Sequence, residues 1–397
     1  MSVCFDRIVK ASPPATTRKV AMLPGPQPDT EWKRVGNGHL RALAAELGRN
    51  GWTVDGLEPR DFFSPSCTLE NSTIVHIHWT EALTLQVQQP YWVKALTSLQ
   101  TAAGQTRPHL FLQRFARRIL RPIAARRPLV YQVHDLDSNW LEPARAHLLD
   151  RAFKLACLRE AHAWIVHESS SLSPLDRIAP RPASIAICPL GDYAGFHGPP
   201  VARSEARRRS GLPENETIFL YAGYAGTRRN PAATATAFTR LGAPNARLII
   251  ASRNARRYLP TDTPRIEVRD EFLENETVRD LYCAADWIVM PGRAYLNSAV
   301  VRTALSYARP VICIDFGSQS DMARNAALWL EDDSEPALHQ QLSRASAMTA
   351  DEYQRYSRAA AARSAERSWS ESTRTYVSLL EQLRQSAARQ PSSGPRD

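Results

Sequence analysis

The sequence lacks several features that would assign it to a familiar class of protein. No apolar run reaches the roughly 18 residues that a membrane-spanning helix needs. Residues 1–18 contain no continuous apolar segment of the kind found in secretory signals, so we expect a cytoplasmic chain. The six cysteines are scattered and none forms a Cys-x-x-Cys pair, which argues against a zinc ribbon and a disulfide framework.

What the sequence has in excess is positive charge. The formal net charge is +10 over 397 residues. A charge of this size permits nucleic acid, an anionic membrane surface or phosphorylated substrates as partners. The length is too great for one ordinary core and sufficient for two domains. The distribution of the basic residues must therefore decide among these partners.

Apolar runs of strand length alternate with helical segments along both halves of the chain. Such alternation is typical of parallel sheets covered by helices on both faces. We predict an α/β fold of two doubly wound, Rossmann-like domains that face a cleft, at residues 19–200 and 216–369. A terminal helix at 370–388 is a candidate to pack back on the first domain. The ends, at 1–18 and 389–397, are expected to be disordered.

Polar side chains follow two predicted strands of the first half. His78 and Glu81 follow the third strand, and His134 and Asp135 follow the fourth. Parallel sheets bind ligands beyond the carboxyl ends of their strands, so these residues are candidates to line the cleft. The alternative for each carboxylate is to cap the next helix, and for each histidine it is a satisfied place in the core.

The second half contains two candidate elements for binding an anion. The turn from Gly223 to Asn230 carries Arg228 and Arg229, whose planar guanidinium groups suit phosphate oxygens. A polar loop then opens a helix and places the Asn297-Ser298 pair at its N-cap, where free N–H groups favour a nucleotide diphosphate. An ordinary βαβ unit with an exposed Arg-Arg turn is the alternative.

A basic amphipathic stretch lies between the third and fourth strands. Phe111, Phe115 and Ile119 recur at helical spacing, while Arg114 and Arg118 lie largely on the other side. That pattern is typical of a helix lying on an anionic membrane surface. A core-packing helix with a solvated basic face would give the same pattern, so both interpretations stay open.

Five stretches together resemble the GT-B glycosyltransferases, and more narrowly the bacterial xanthan-type exopolysaccharide mannosyltransferases. The most specific stretch is Leu296-Asn-Ser-Ala-Val-Val-Arg-Thr-Ala-Leu-Ser-Tyr-Ala-Arg-Pro-Val311. The others are 75–81, 130–135, 140–170 and 220–230, and the set spans most of residues 19–315. The resemblance implies transfer of mannose from GDP-mannose to a lipid-linked oligosaccharide at the inner face of the cytoplasmic membrane. It also implies that neither a catalytic metal nor a cofactor takes part.

The sequence departs from that family at informative positions. Asp135 stands where the family usually has asparagine, and the basic residue of the donor turn is Arg229 rather than lysine. The paired glutamates of many retaining GT-B enzymes would fall at Leu296 and Thr303, and their absence fits an inverting enzyme. The stretch 130–135 also looks like the xanthan glucuronosyltransferase, so a UDP sugar such as UDP-glucuronate is the alternative donor.

The resemblance gives the candidate residues specific roles. Inverting transfer needs a base for the acceptor hydroxyl and positive groups for the leaving nucleotide diphosphate. Asp135 is the first candidate for the base and Glu81 the second, while His134 orients the base or the acceptor. The donor-binding candidates are Arg228, Arg229, Tyr295, Asn297, Ser298 and Gly223, and the acceptor or loop candidates are Gly36, Asn37 and His78. A basic nucleic-acid-binding protein and a GT-B protein that binds without catalysis are the competing hypotheses.

Overall fold

The protein is described here by a computed structural model. It describes residues 18–25, 38–59, 73–87, 108–136, 144–223, 225–226, 229–259, 263–292 and 296–389. Four of the candidate site residues, Gly36, Asn37, Arg228 and Tyr295, lie outside these ranges, as do both ends of the chain.

The first domain is built on a six-stranded parallel sheet in the order β2-β1-β3-β4-β5-β6. Its strands are β1 (Lys19–Leu23), β2 (Thr53–Gly56), β3 (Ile74–Ile77), β4 (Leu129–Gln132), β5 (Ala163–Val166) and β6 (Ser184–Ile187). Its helices are α1 (Gly38–Arg49), α2 (Glu81–Val87), α3 (Pro108–Arg126), α4 (Ala144–Glu160) and α5 (Leu172–Asp176). Every residue of β3, β4 and β5 is buried, because helices cover both faces of the sheet.

The second domain repeats this plan in the order β12-β11-β10-β7-β8-β9. Its strands are β7 (Thr217–Ala222), β8 (Ala246–Ala251), β9 (Ile266–Arg269), β10 (Trp287–Met290), β11 (Val311–Ile314) and β12 (Ala327–Leu330). The connection between the domains contains α6 (Ala194–His197) and α7 (Arg203–Ser210). The remaining helices are α8 (Pro231–Thr239), α9 (Asn275–Ala284), α10 (Ala299–Ser306), α11 (Ser318–Ala323), α12 (Glu335–Ser346), α13 (Ala350–Ala365) and α14 (Trp369–Arg389). Two parallel α/β domains confirm the predicted fold class.

The last helix, α14, leaves the second domain and packs on the first. It contacts α1, β3 and β6. The hydroxyl of Tyr376 lies 2.6 Å from Nδ1 of His76 on β3. The apolar residues Leu379, Leu380 and Leu383 join a buried cluster with residues of β1, α1, β4 and β5. One face of the first sheet is therefore covered in part by the C-terminal end of the described chain.

Helix α3 turns most of its apolar side inward. Phe115 and Ile119 pack against the core of the first domain, and the Phe115 ring meets Phe153 of α4 edge to face at 6.4 Å. The prediction that Phe115 and Ile119 face a membrane is therefore wrong, because these two side chains pack over the core of the first domain. Phe111 remains 43% exposed and Leu110 40% exposed, at the start of the helix. Among the described residues, no helix combines the length and the apolar character that crossing a bilayer requires.

Candidate functional site

The carboxyl ends of β4 and β5 set the geometry of the site. The register pairs Val130 with Ala163, so continuing the two chains brings His134 beside His167. Side chains alternate along a strand, so Gln132 and His134 point toward the face that α1 and α14 cover. Asp135 follows on the other side, toward the core that α3 and α4 complete.

A loop of the second domain docks directly on the end of β4. Leu296 is 2% exposed and packs into the core of the first domain. Its backbone N–H donates to Oδ1 of Asp135 at 3.2 Å, and its carbonyl accepts from the Ser171 hydroxyl at 3.0 Å. Nδ2 of Asn297 donates to the carbonyl of His134 at 2.6 Å. The first candidate base and the predicted donor loop are thus in direct contact across the domain boundary.

The same loop ends in the helix N-cap that the sequence predicted. Ser298 has extended backbone angles, and its hydroxyl oxygen accepts from the N–H of Val301 at 3.2 Å. Thr303, at the second position of the glutamate pair that this chain lacks, donates to the carbonyl of Ala299 at 2.7 Å. Neither Leu296 nor Thr303 offers a carboxylate, whereas Asp135 brings one to this loop from the first domain.

The glycine turn brings an arginine to the first turn of α10. Gly223 has a φ of +103°, which favours glycine, and a Cβ there would lie 2.3 Å from Nη1 of Arg229 and 3.1 Å from Cγ2 of Val300. Nη1 of Arg229 also donates to the carbonyl of Ala222 at 3.4 Å. The guanidinium group therefore lies over the end of β7 beside α10. The two predicted anion-binding elements, the turn and the helix N-terminus, converge.

Glu81, the second candidate base, is occupied by a buried ion pair. Its Oε1 lies 3.3 Å from Nζ of Lys154, which also lies 2.9 Å from Oδ2 of Asp150. Thr80 donates to that aspartate at 2.6 Å. Burial alone would lower the pKa of Lys154, but Glu81 and Asp150 outweigh it and raise that pKa. Glu81 is 5% exposed and its carboxylate fastens α2 to α4, which corrects the prediction that it faces the cleft.

A cluster of histidines fills the space under α1. Nδ1 of His134 lies 3.3 Å from Nε2 of His167, whose Nδ1 lies 2.8 Å from the carbonyl of Cys188. Nε2 of Gln132 lies 3.2 Å from Nε2 of His39 and 3.1 Å from Nε2 of His167. Burial lowers the pKa of His39 and His134 well below the usual value and that of His167 to about 4. At neutral pH these rings are therefore uncharged.

Two aromatic neighbours complete the cluster. The indole of Trp79 stacks on the His134 ring at 4.2 Å, with 12° between the planes. The ring of Trp369, at the start of α14, lies 5.3 Å from His39. His78 belongs to the same cluster and is 1% exposed, so it offers no surface to an acceptor and the prediction of that role is wrong.

A buried arginine, Arg302, holds the segment that connects the second domain to α14. Arg302 on α10 is fully buried and donates to the carbonyls of Gly191 at 2.9 Å and Arg367 at 2.8 Å. Burial lowers the pKa of Arg302 to about 10. Arg367 in turn pairs with Glu168 after β5, with 3.0 Å between Nη2 and Oε2. Helix α10, which begins at the candidate site, is thus bonded to both domains.

The chain is similar to known proteins in sequence and in structure. No protein-family model matches the chain. A curated relative, the "Putative teichuronic acid biosynthesis glycosyltransferase TuaC" of Bacillus subtilis (strain 168), is 26% identical over 229 residues. The match covers 56% of this chain and 56% of that protein, so the chain spans about half the length of the curated relative.

Solved structures resemble almost the whole chain. The sucrose-phosphate synthase of Thermosynechococcus elongatus is 15% identical with a TM-score of 0.67, over 93% of this chain and 100% of that chain. The Anabaena protein HepE, in complex with UDP and glucose, is 14% identical with a TM-score of 0.59, over 92% and 100%. At these identities the likeness shows the fold alone, and that fold is the predicted GT-B fold.

Proposed function

We propose that this protein is an inverting, metal-independent glycosyltransferase that moves mannose from GDP-mannose to a lipid-linked oligosaccharide. The GT-B fold and the curated relative support glycosyl transfer. The observation that carries the proposal is the contact of Leu296 with Asp135, because it brings a carboxylate to the loop that opens α10. Arg229 lies at the first turn of the same helix.

The reaction follows from these positions. The carboxylate of Asp135 accepts the proton of the acceptor hydroxyl as its oxygen bonds to the anomeric carbon of the sugar. The bond from that carbon to the diphosphate oxygen breaks, and the leaving group takes the electron pair. Arg229 and the free N–H groups of α10 stabilise the negative charge that develops on the diphosphate. Attack from the opposite side inverts the anomeric configuration.

Metal independence has its own test. Arg229 and the N-terminus of α10 supply the positive charge that a divalent cation would otherwise bring to the diphosphate. Asp135 and Asp137 nevertheless have the Asp-x-Asp spacing, although Asp137 lies outside the described residues. We expect transfer to need no added Mg²⁺ or Mn²⁺. Loss of transfer with EDTA and its recovery with added Mg²⁺ or Mn²⁺ would refute this part of the proposal.

A UDP sugar is the second candidate donor. The HepE structure holds UDP and glucose, and the curated relative is named for teichuronic acid biosynthesis. Neither protein is similar enough to fix the donor of this one. UDP-glucuronate is the specific alternative, since the sequence from Val130 to Asp135 also resembles a glucuronosyltransferase.

The lipid-linked acceptor implies that the protein works on the inner face of the cytoplasmic membrane. The start of α3 supports this location, because Leu110 and Phe111 are exposed beside the exposed Arg114 and Arg118. Exposed apolar side chains flanked by arginines suit the boundary between acyl chains and anionic headgroups.

The experiment that tests the function compares melting temperatures with GDP, GDP-mannose, UDP and UDP-glucuronate. A ligand that binds only the folded state raises the melting temperature by mass action. We expect a rise with the guanine nucleotides, followed by mannose transfer to a lipid-linked acceptor with inverted configuration by NMR. A rise with uridine nucleotides alone would select the second donor. Salt-dependent duplex DNA binding with no nucleotide response would favour a nucleic-acid-binding protein instead.

A further inference from the structure

The buried histidines of the first domain form a triangle of unusual regularity. The ring centroids of His39, His134 and His167 lie 5.3, 5.4 and 5.1 Å apart. One ring nitrogen from each can be chosen so that the three lie within 4.8 Å of one another. The residues come from α1 and from the ends of β4 and β5, so three separate elements bring imidazoles together.

These distances match those of a tetrahedral metal site. Imidazole nitrogens bind zinc at about 2.0–2.1 Å, which at tetrahedral angles places two nitrogens about 3.3 Å apart and two ring centroids about 5.2 Å apart. Nδ1 of His134 and Nε2 of His167 are 3.3 Å apart. All three centroid distances lie close to the expected value.

Gln132 lies where the fourth ligand of such a site belongs. Its terminal amide nitrogen is 3.2 Å from Nε2 of His39 and 3.1 Å from Nε2 of His167, again near the edge of a tetrahedron. Its Oε1 is buried without a hydrogen-bond partner among the described residues. A rotation of the Gln132 amide by half a turn exchanges Oε1 and Nε2 and would present Oε1 to the centre of the histidine triangle.

One of the ligands, His167, is held by its surroundings as a metal-binding histidine usually is. Nδ1 of His167 donates to the carbonyl of Cys188, which leaves Nε2 without a proton and aimed into the triangle. His78 lies beside the cluster, 5.6 Å from the His39 ring and 5.8 Å from the His134 ring. Both of its nitrogens are buried without partners in the described part of the chain. Buried polar atoms left without partners are rare in folded proteins, and a bound ion or water is a common reason for them.

We propose that His39, His134 and His167, with Gln132, bind one zinc-class divalent transition metal ion. Imidazole suits zinc and its neighbours, whereas magnesium and calcium prefer oxygen. The three histidines are at most 8% exposed, so the site is closed, as in structural rather than catalytic zinc sites. The ion fastens α1 to β4 and β5 and fixes the residue that precedes Asp135. It takes no part in the proposed sugar transfer.

The test uses the tag-free full-length chain, stripped with a chelator and titrated with Co²⁺. A tetrahedral Co²⁺ centre absorbs strongly in the visible range, whereas octahedral surface binding does not. We expect one equivalent of Co²⁺ per chain, displacement by Zn²⁺ and a higher melting temperature with either ion. A stripped chain that is folded by circular dichroism and develops no visible band would overturn the proposal.

Variants separate this site from other histidines. His39→Gln and His167→Gln should each weaken Co²⁺ binding by more than about ten-fold, since even residues behind a ligand change affinity by that much. His339→Gln, on α12 of the second domain, is the matched control and should keep the full band. Gln132→Leu removes the proposed fourth ligand and should shift the band while three histidines still bind. An unchanged band in both His39→Gln and His167→Gln would also refute the site.

Discussion

The backbone N–H of Leu296, in the second domain, donates a hydrogen bond of 3.2 Å to the carboxylate of Asp135, in the first. The donor is part of the loop that opens α10, and the acceptor is our candidate base. A movement that separates the two domains at this point must therefore break a contact at the candidate site itself. The side chain of Leu296 lies in the core of the opposite domain, which explains why this residue is apolar.

We expect Asp135→Asn to abolish transfer while leaving the structure intact. The asparagine carbonyl can still accept the bond from Leu296, but it cannot take a proton. Loss of a general base lowers kcat by about 10²- to 10⁴-fold. The measurement is the rate of sugar transfer, and the nucleotide-induced rise in melting temperature should persist. Full activity would show that another group is the base.

The variant Glu81→Gln tests the second candidate base. Glu81 pairs with Lys154 in the core, so the change should lower the free energy of unfolding. The rate per folded molecule should stay near that of the wild type. A loss of rate without a loss of stability would return Glu81 to the role of base.

Arg229→Ala should weaken binding of the donor nucleotide. A charge-assisted hydrogen bond contributes about 1.5–3 kcal/mol, so the dissociation constant should rise by about ten-fold or more. Calorimetric titration with the nucleotide diphosphate measures this. Arg240→Ala is the matched control in the same domain, since Arg240 is exposed and pairs with Glu335. Equal affinities in both variants and the wild type would contradict the phosphate-binding role.

The buried histidines should make the protein sensitive to mild acid. Burial lowers the pKa of His76 to about 3, while the unfolded chain binds a proton near pH 6.5. Between these two values only the unfolded state is protonated at this residue, so stability falls as the pH falls. The loss approaches about 1.4 kcal/mol per pH unit. Urea unfolding at pH 7 and pH 5 should show a smaller loss for His76→Gln, and an identical loss would exclude this origin.

Membrane association should depend on the start of α3. Replacing Leu110 and Phe111 by serine removes two exposed apolar side chains and should reduce co-sedimentation with anionic vesicles by about ten-fold. Ile119→Ser is the contrasting variant, because Ile119 packs against the core and its loss should lower stability instead. Unchanged co-sedimentation of the double variant would place the membrane contact elsewhere.

The fold was largely readable from the sequence because the buried parallel strands are short apolar runs. Helix α10 was readable as well, because Ser298 stands at its N-cap and Arg309-Pro310 follows its end. Strand β12 (Ala327–Leu330), at the edge of the second sheet, was not predicted. The short helices α6 and α7 could not be predicted, because the glycines and prolines between residues 191 and 215 favour loops.

The residue patterns alone predicted contacts only where neighbours in sequence are also neighbours in space, and the grouping of Arg229 with Asn297 and Ser298 came from the family resemblance. His134 and Asp135 follow one strand, and Asn297 and Ser298 belong to one loop, so their proximity could be inferred. The meeting of His39 with His167 could not, because it depends on how α1 lies across the strand ends. The inward side of α3 was also ambiguous, since a membrane-facing stripe and a core-facing stripe have the same period.

The position of α14 has a consequence for how the protein is made. Residues 369–389 are synthesised after both sheets, yet they pack against α1, β3 and β6 of the first domain. While the ribosome is still translating the second domain, one hydrophobic face of the first is therefore only partly covered. Domains otherwise fold in turn from the N-terminus as the chain emerges. In this protein the nascent first domain has to wait for residues 369–389 to complete its core, and a message truncated before codon 369 would yield a product prone to aggregate.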